Sequence, residues 1–286
     1  MQLLTYLSAT GPAIAARNDE AWFDLRSADA SLPPTLEEIF ALGKAGWEQV
    51  AAAQARATPL PQTPTVILPP ILRPSKILCV GLNYADHARE TDQEIPSEPL
   101  IFNKLPTAIC GQAAEIVLPR CSQRVDYEAE LVVVIGRGGR DISQSSALQH
   151  VAGYCCGNDV SARDWQKEKP GGQWLLGKSF DTFGPVGPHL VTADELTEPN
   201  NLEIVCRLNG KTMQRSHTGQ LIFPIEYLIS YVSQVCTLQP GDLLFTGTPP
   251  GVGVARNPPV FLKSGDRVEV EIEQIGVLGN PVRAID

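Results

Sequence analysis

The residues that first invite chemistry are acidic. In "VDYEAELVVV", residues 125–134, Asp126, Glu128 and Glu130 stand at i, i+2 and i+4. In an extended strand such positions share one face. Like charges side by side raise one another's pKa and weaken the strand. Two arrangements relieve them: a fully solvated face, or a divalent cation held between them. Hard cations such as Mg²⁺ take carboxylate oxygens and keep several waters. The stretch "GNDVSARDW" favours the cation, because it adds Asp159 after another strand-like run, beside small residues that permit close approach. Glu128, Glu130 and Asp159 would then form a three-carboxylate site with positions open to a substrate.

Other groups suit the same chemistry. "VGLNYADHARE" carries His87 and Glu90 at i, i+3, neighbours on one face of a short helix. A carboxylate that holds an imidazole makes a usable general base; the plain alternative is a surface histidine. The polar segment 83–99, closed by Pro96 and Pro99, reads as a mobile cover. "WLLGKSFDTFGP" sets Lys178 among Trp174, Leu175, Leu176 and Phe180. A lysine so placed suits an anionic group or enolate better than open solvent, where most lysines lie. "FTGTPPGVG" offers Thr248 and several backbone amides, which in a turn-rich loop either bind carboxylates or form an ordinary surface turn.

These groups need a scaffold, and the chain reads as sheet-rich. Strand candidates are 2–7, 76–82, 130–136, 150–161, 186–192, 202–210, 242–248 and 266–276. Residues 225–236, "IEYLISYVSQVC", form the clearest helix. Thr35 with Glu38 is a capping-box pattern that opens a second helical stretch. Residues 1–70 read as a small N-terminal domain that ends in a proline-rich linker, and 71–286 as the main domain. The fold class is α+β and β-rich, with a rolled or barrel-like mixed sheet. "GRGGRD" lacks the third glycine of a dinucleotide turn, and "GTPPGVG" lacks the lysine of a phosphate loop.

The bulk numbers set outer limits. A length of 286 residues fits a main domain with a small accessory one. A net charge of -9 repels phosphate backbones and disfavours nucleic acid as a partner. No basic run points to a membrane surface, and no apolar run is long enough for a span. The 7 cysteines have no ligand spacing and read as reduced thiols. The N-terminus lacks the basic start and apolar core of a signal peptide, and Asp19, Glu20 and Asp24 make it too acidic for a good transit peptide. The expected compartment is the cytoplasm.

Taken in order, "CVGLNYADHARE", "VDYEAELVVVIG", "GNDVSARDWQ", "WLLGKSFDTFGP" and "LFTGTPPGVG" closely resemble the fumarylacetoacetate hydrolase family. The resemblance spans roughly residues 75–286. "GTPPGVGVARNPPVFLKSGD" is most similar to the short, domain-containing branch; the first 70 residues match the family poorly. The resemblance implies a rolled β-rich fold, a homodimer, and one Mg²⁺ or Mn²⁺ per subunit. By position, Glu128, Glu130 and Asp159 match the family's metal ligands, with the part played by Asp126 open. His87 and Glu90 match a water-activating pair on a lid, and Lys178 a lysine on substrate oxygens. Arg163, Gln166 and Thr248 match positions around the substrate. All the family's reactions need a 2-oxo acid whose enolate is stabilised. Because both members of the pair are present, the expected reaction is hydrolysis of a C–C bond in an acylpyruvate-type 1,3-diketo acid. Oxaloacetate tautomerase or decarboxylase is the alternative, with isomerisation of a hydroxymuconate-type acid beside it. A non-catalytic binding protein would require a broken site, and every expected residue is present.

Overall fold

In the computed structural model, residues 1–18, 21–90, 92 and 94–285 are described. Asp19 and Glu20, and Thr91 and Gln93 of the expected cover, therefore lie outside the described residues. Strand accounts for 36% of the chain against 23% helix, so the class is a sheet-rich α+β fold. Its large sheet stays open and does not close into a barrel.

The centre of that sheet is the strand Ala129–Ile135, "AELVVVI", buried along its whole length. A valine-rich run suits a strand covered on both faces. It pairs antiparallel with Val151–Asn158 on one side and Leu243–Phe245 on the other. Leu243–Phe245 lies parallel to Ile77–Gly81, which pairs with the edge strand Leu100–Lys104. A five-stranded sheet, built on Glu203–Leu208, Arg267–Ile272 and Gly276–Ala284, packs against this one. The helix Ile225–Val235 buries Ile225, Leu228, Ile229 and Val232, a single stripe at helical spacing, in the core between.

The sheet runs through the change in sequence texture near residue 70. Gln2–Ser8 pairs with Gly184–Thr192, and Gly11–Asn18 and Ala21–Asp24 extend the same sheet outward. Leu3, Ile14, Leu36 and Phe40 share one apolar core with Ile77, Val132, Val134 and Phe245. The proline-rich stretch is tied down as well: Leu68 N–H donates to Thr5 O and Leu7 N–H to Val66 O. Thr35 caps its helix, its Oγ1 accepting from Glu38 N. The helical stretch is divided into Leu36–Ala41 and Lys44–Gln54, because Gly43 turns the backbone through φ +60° between them.

All seven cysteines are free thiols. Among the described residues, no helix is long and apolar enough to cross a membrane.

His189, on Gly184–Thr192, is buried with Nε2 unpartnered and the Trp22 ring edge-on at 5.6 Å. Burial, with a smaller push from Arg17, lowers its pKa from 6.5 to about 4. The folded protein thus keeps it neutral where the unfolded chain takes up a proton. Its contribution to stability is whole above pH 6.5 and is lost as pH falls toward 4. His189→Phe should therefore lose less stability than the parent between pH 7 and pH 4.5, by roughly 2 kcal/mol in urea denaturation. Parallel pH curves for the two proteins would contradict this.

Candidate active site

Strand pairing brings the acidic residues together. Glu128 immediately precedes Ala129–Ile135, Glu130 lies on that strand, and Asp159 immediately follows Val151–Asn158. The two strands are antiparallel, so the start of one meets the end of the other. Asp159 N–H donates to Glu128 O at 2.9 Å, and Glu128 N–H to Asn158 Oδ1 at 3.0 Å. As a result, oxygens of Glu128, Glu130 and Asp159 lie within 4.8 Å of one another, all on buried residues. Asp126 does not join them. The chain pairs with Ser161–Ala162 over Val125–Asp126 and breaks before Glu128, so the two-residue alternation does not carry across.

Asp126 instead braces the site from behind. Its carboxylate accepts from the N–H groups of Tyr127, Gly253 and Val254 and from Arg163 Nε. Gly253 is required there, since a Cβ would collide with Val260 O. Arg163 then reaches Glu128 Oε1 at 2.6 Å and donates to Gln166 Oε1 at 2.9 Å. Lys178 bridges Glu128 Oε2 at 2.7 Å and Asp159 Oδ2 at 2.6 Å, with its ammonium 4.9 Å above the Phe102 ring. Lys104 closes the cluster from below. It lies 2.6 Å from Asp159 Oδ1 and donates to Val160 O and Lys178 O.

The charges are unevenly shared. Burial alone would raise Glu128, yet Lys178 and Arg163 hold it well below the usual carboxylate range. Burial would likewise depress Lys178, and Asp159 and Glu128 more than reverse that. Glu130 has no such partner: burial drives it well upward, Asp159 and Glu128 add to the effect, and only Lys178 and the Gly247 N–H at 2.7 Å oppose it. A carboxylate in that setting takes either a proton or a further cation. With an oxygen-only donor set, the three residues fit a hard divalent metal.

The remaining predicted residues surround one cavity of about 100 Å³. It is lined by His87, Glu128, Glu130, Arg163, Gln166, Lys178 and Thr248, with Val80, Phe102 and Trp174 as its apolar wall. The helix Ala85–Glu90 brings His87 there, and His87 Nδ1 lies 2.9 Å from Glu90 Oε2. Glu90 in turn accepts from Gly251 N–H, and Asp86 from Ser216 Oγ, so the helix is docked over the cavity. The expected role of the 247–254 amides changes, however. Gly247 serves Glu130, Gly251 serves Glu90, and Gly253 and Val254 serve Asp126. These amides orient protein carboxylates and are not left for a substrate. Thr248 Oγ1 accepts from Gln214 Nε2 at 2.8 Å, which leaves its own proton to donate.

Two residues of the site escape sequence reasoning. Lys104 is fully buried, yet "LIFNKLP" reads as an ordinary edge strand with a terminal lysine. Lys167 also lines the cavity, but "QKEK" has the texture of a solvated turn. The only available signal was the position of Lys167 directly after the motif residue Gln166.

The fumarylacetoacetate hydrolase C-terminal family model matches residues 76–283. The chain belongs to the fumarylacetoacetate hydrolase family. Within it, the similarity is to the domain-containing branch. The chain is 50% identical over 278 residues to the mitochondrial oxaloacetate tautomerase FAHD2A of Bos taurus, covering 97% of this chain and 88% of the relative. A fumarylacetoacetate hydrolase of Exiguobacterium antarcticum superposes with a TM-score of 0.89 at 35% identity, covering all of both chains. A 2-hydroxyhepta-2,4-diene-1,7-dioate isomerase of Mycobacterium marinum gives 0.77 at 36%, covering 99% of this chain and 98% of that one. The chain is thus an enzyme of a family that binds divalent metal and includes hydrolases, isomerases and tautomerases.

One expectation is overturned. The cytoplasm was inferred from a missing leader pattern, whereas the bovine relative is a mitochondrial protein. A compartment address is read by a receptor and leaves no trace in the fold or the site.

The two roles assigned to neighbouring carboxylates separate under mutation. Glu130→Gln removes a repelling charge and should leave the metal-free protein as stable as the parent or more so, while Mn²⁺ affinity in calorimetry falls at least about tenfold. Asp126→Asn should do the opposite, costing roughly 3 kcal/mol in denaturant unfolding, because Arg163 loses one of its two buried carboxylates and the Gly253 and Val254 amides lose a charged acceptor. Mn²⁺ affinity in that variant should stay within a few-fold. Reversed effects would exchange the two roles.

Proposed function

We propose that this enzyme interconverts the enol and keto forms of oxaloacetate. The observation that carries the reading is the His87–Glu90 pair facing a small cavity whose polar wall is the carboxylate and cation cluster. The half-identity to a bovine oxaloacetate tautomerase along nearly the whole chain supports it. Hydrolysis was expected because this pair is present. But a carboxylate-held imidazole is equally what a bare proton transfer needs, so its presence does not require a hydrolytic water. A cavity of about 100 Å³ also lies well below the roughly 300–1,000 Å³ of sites for larger ligands. That size favours a four-carbon acid over an acylpyruvate with a long tail.

In this reading, Glu128, Glu130 and Asp159 would hold Mg²⁺ or Mn²⁺, which when bound supplies Lewis-acid polarisation of the 2-oxo group. His87 takes a proton from C3, and the electron pair left on C3 moves toward the C2 oxygen as the enolate forms. Returning a proton to that oxygen gives the enol, and the reverse sequence regenerates the ketone. Glu90 fixes the orientation of the imidazole through Nδ1. Lys178 and Arg163 would meet the enolate and carboxylate oxygens, with Phe102 and Trp174 as the apolar wall beside them.

The test uses purified protein with Mg²⁺ and follows the ultraviolet absorbance of enol oxaloacetate together with pyruvate release. The expected result is enol decay proportional to protein without matching pyruvate formation. His87→Ala should slow it by roughly 100-fold, the scale of losing a general base. Cleavage of an acylpyruvate with no effect on oxaloacetate tautomerisation would restore the hydrolase reading.

A further inference from the structure

The cations of the site are allocated almost completely. Arg163 is shared between Asp126 and Glu128, Lys178 between Glu128 and Asp159, and Lys104 belongs to Asp159 and two carbonyls. The amides of Gly247, Gly251, Gly253 and Val254 are allocated too. Lys167 differs. It lies on the single π-helical turn Asp164–Glu168, next to Gln166, and lines the cavity. Among the described residues, its ammonium has no hydrogen bond and no carboxylate partner, although Glu168 and Asp164 lie on the same turn. Glu168 is taken by Arg124, and Asp164 by Ser122 and by the Gln123 and Trp165 amides. Partial burial and the Arg163 guanidinium lower its pKa, so an arriving anion would relieve an unfavourable setting.

We infer that Lys167 is a specificity-determining residue that binds the distal carboxylate of a dicarboxylic 2-oxo acid. This rests on the proposed function for the position of the other end, where the 2-oxo acid group meets the carboxylate and cation cluster. A monocarboxylic acid of the same length would leave Lys167 without a partner. Two neutral donors complete the distal pocket: Gln166, whose Oε1 is already used by Arg163 and whose amide N–H groups remain, and the Thr248 hydroxyl. Neither carries charge, so the preference for a second carboxylate falls to Lys167.

The experiment measures binding with two stable 2-hydroxy acids, malate and lactate, which differ in the distal carboxylate. Each is titrated calorimetrically into full-length protein with Mg²⁺ present. The parent should bind malate at least about tenfold more tightly than lactate, the scale of one charge-assisted contact. In Lys167→Met the ratio should collapse to within about twofold, and Lys167→Arg should restore most of it. Lys167 is exposed on one side, and a thermal melt matching the parent checks that the variants fold. An unchanged ratio in Lys167→Met overturns the inference, even if oxaloacetate is tautomerised. A collapsed ratio in a protein that does not tautomerise oxaloacetate keeps the dicarboxylate specificity and removes the proposed reaction. Failure of the parent to bind either acid overturns both.

Discussion

The site depends on burying Asp126, Glu128, Glu130 and Asp159 together. Four carboxylates in a low-dielectric interior are prohibitive unless each is answered. Arg163, Lys178 and Lys104 answer three of them, and two of these cations each hold two carboxylates at once. The result is a chain of charge from Asp126 through Arg163, Glu128 and Lys178 to Asp159 and Lys104. Removing any member takes a charge partner from a neighbour that is itself buried. Glu130 alone stands outside this chain of strong partners, which makes it the place where the cluster is short of positive charge.

The backbone is arranged to serve the same end. Loop 247–254 gives its N–H groups to Glu130, Glu90 and Asp126 in turn. A single loop therefore sets Glu130 of the acidic trio, the His87 partner Glu90 and the brace Asp126. Glycine at 247 and 253 lets the loop come close enough: a Cβ at either would strike Asn83 or Val260. Rigid placement of this kind is what proton transfer needs, since rate falls steeply when donor and acceptor drift apart. The His87 helix is also held at its base by Asn83, which bonds Phe223 and Thr246 deep in the core.

The site sits where chain directions alternate. Ile77–Gly81, Val151–Asn158 and Leu243–Phe245 end at the same edge at which Ala129–Ile135 begins. The segments that follow those ends carry the His87 helix, Asp159 and Thr248. Residues widely separated in sequence thereby reach one cavity with short connections from strands buried in the core.

Much of this was legible in the sequence, for local reasons. The valine-rich runs, the helical stripe of 225–235 and the Thr35 cap follow from periodicity and capping chemistry. The order of five motifs determined the family, and the spacing of Glu128 and Glu130 placed them on one side of a strand start. Tertiary structure decided the rest. Asp126 has the same two-residue spacing but stands apart from the trio, because the strand is interrupted at Tyr127 and Glu128 and the alternation ends there. Lys104, 55 residues before Asp159, joins the site only because its strand packs beside it. The loop amides, apparently free in sequence, are consumed by carboxylates from three distant segments. Periodicity reports which side chains share a face within one element, whereas charge compensation is settled between elements, where only the folded chain brings the partners together.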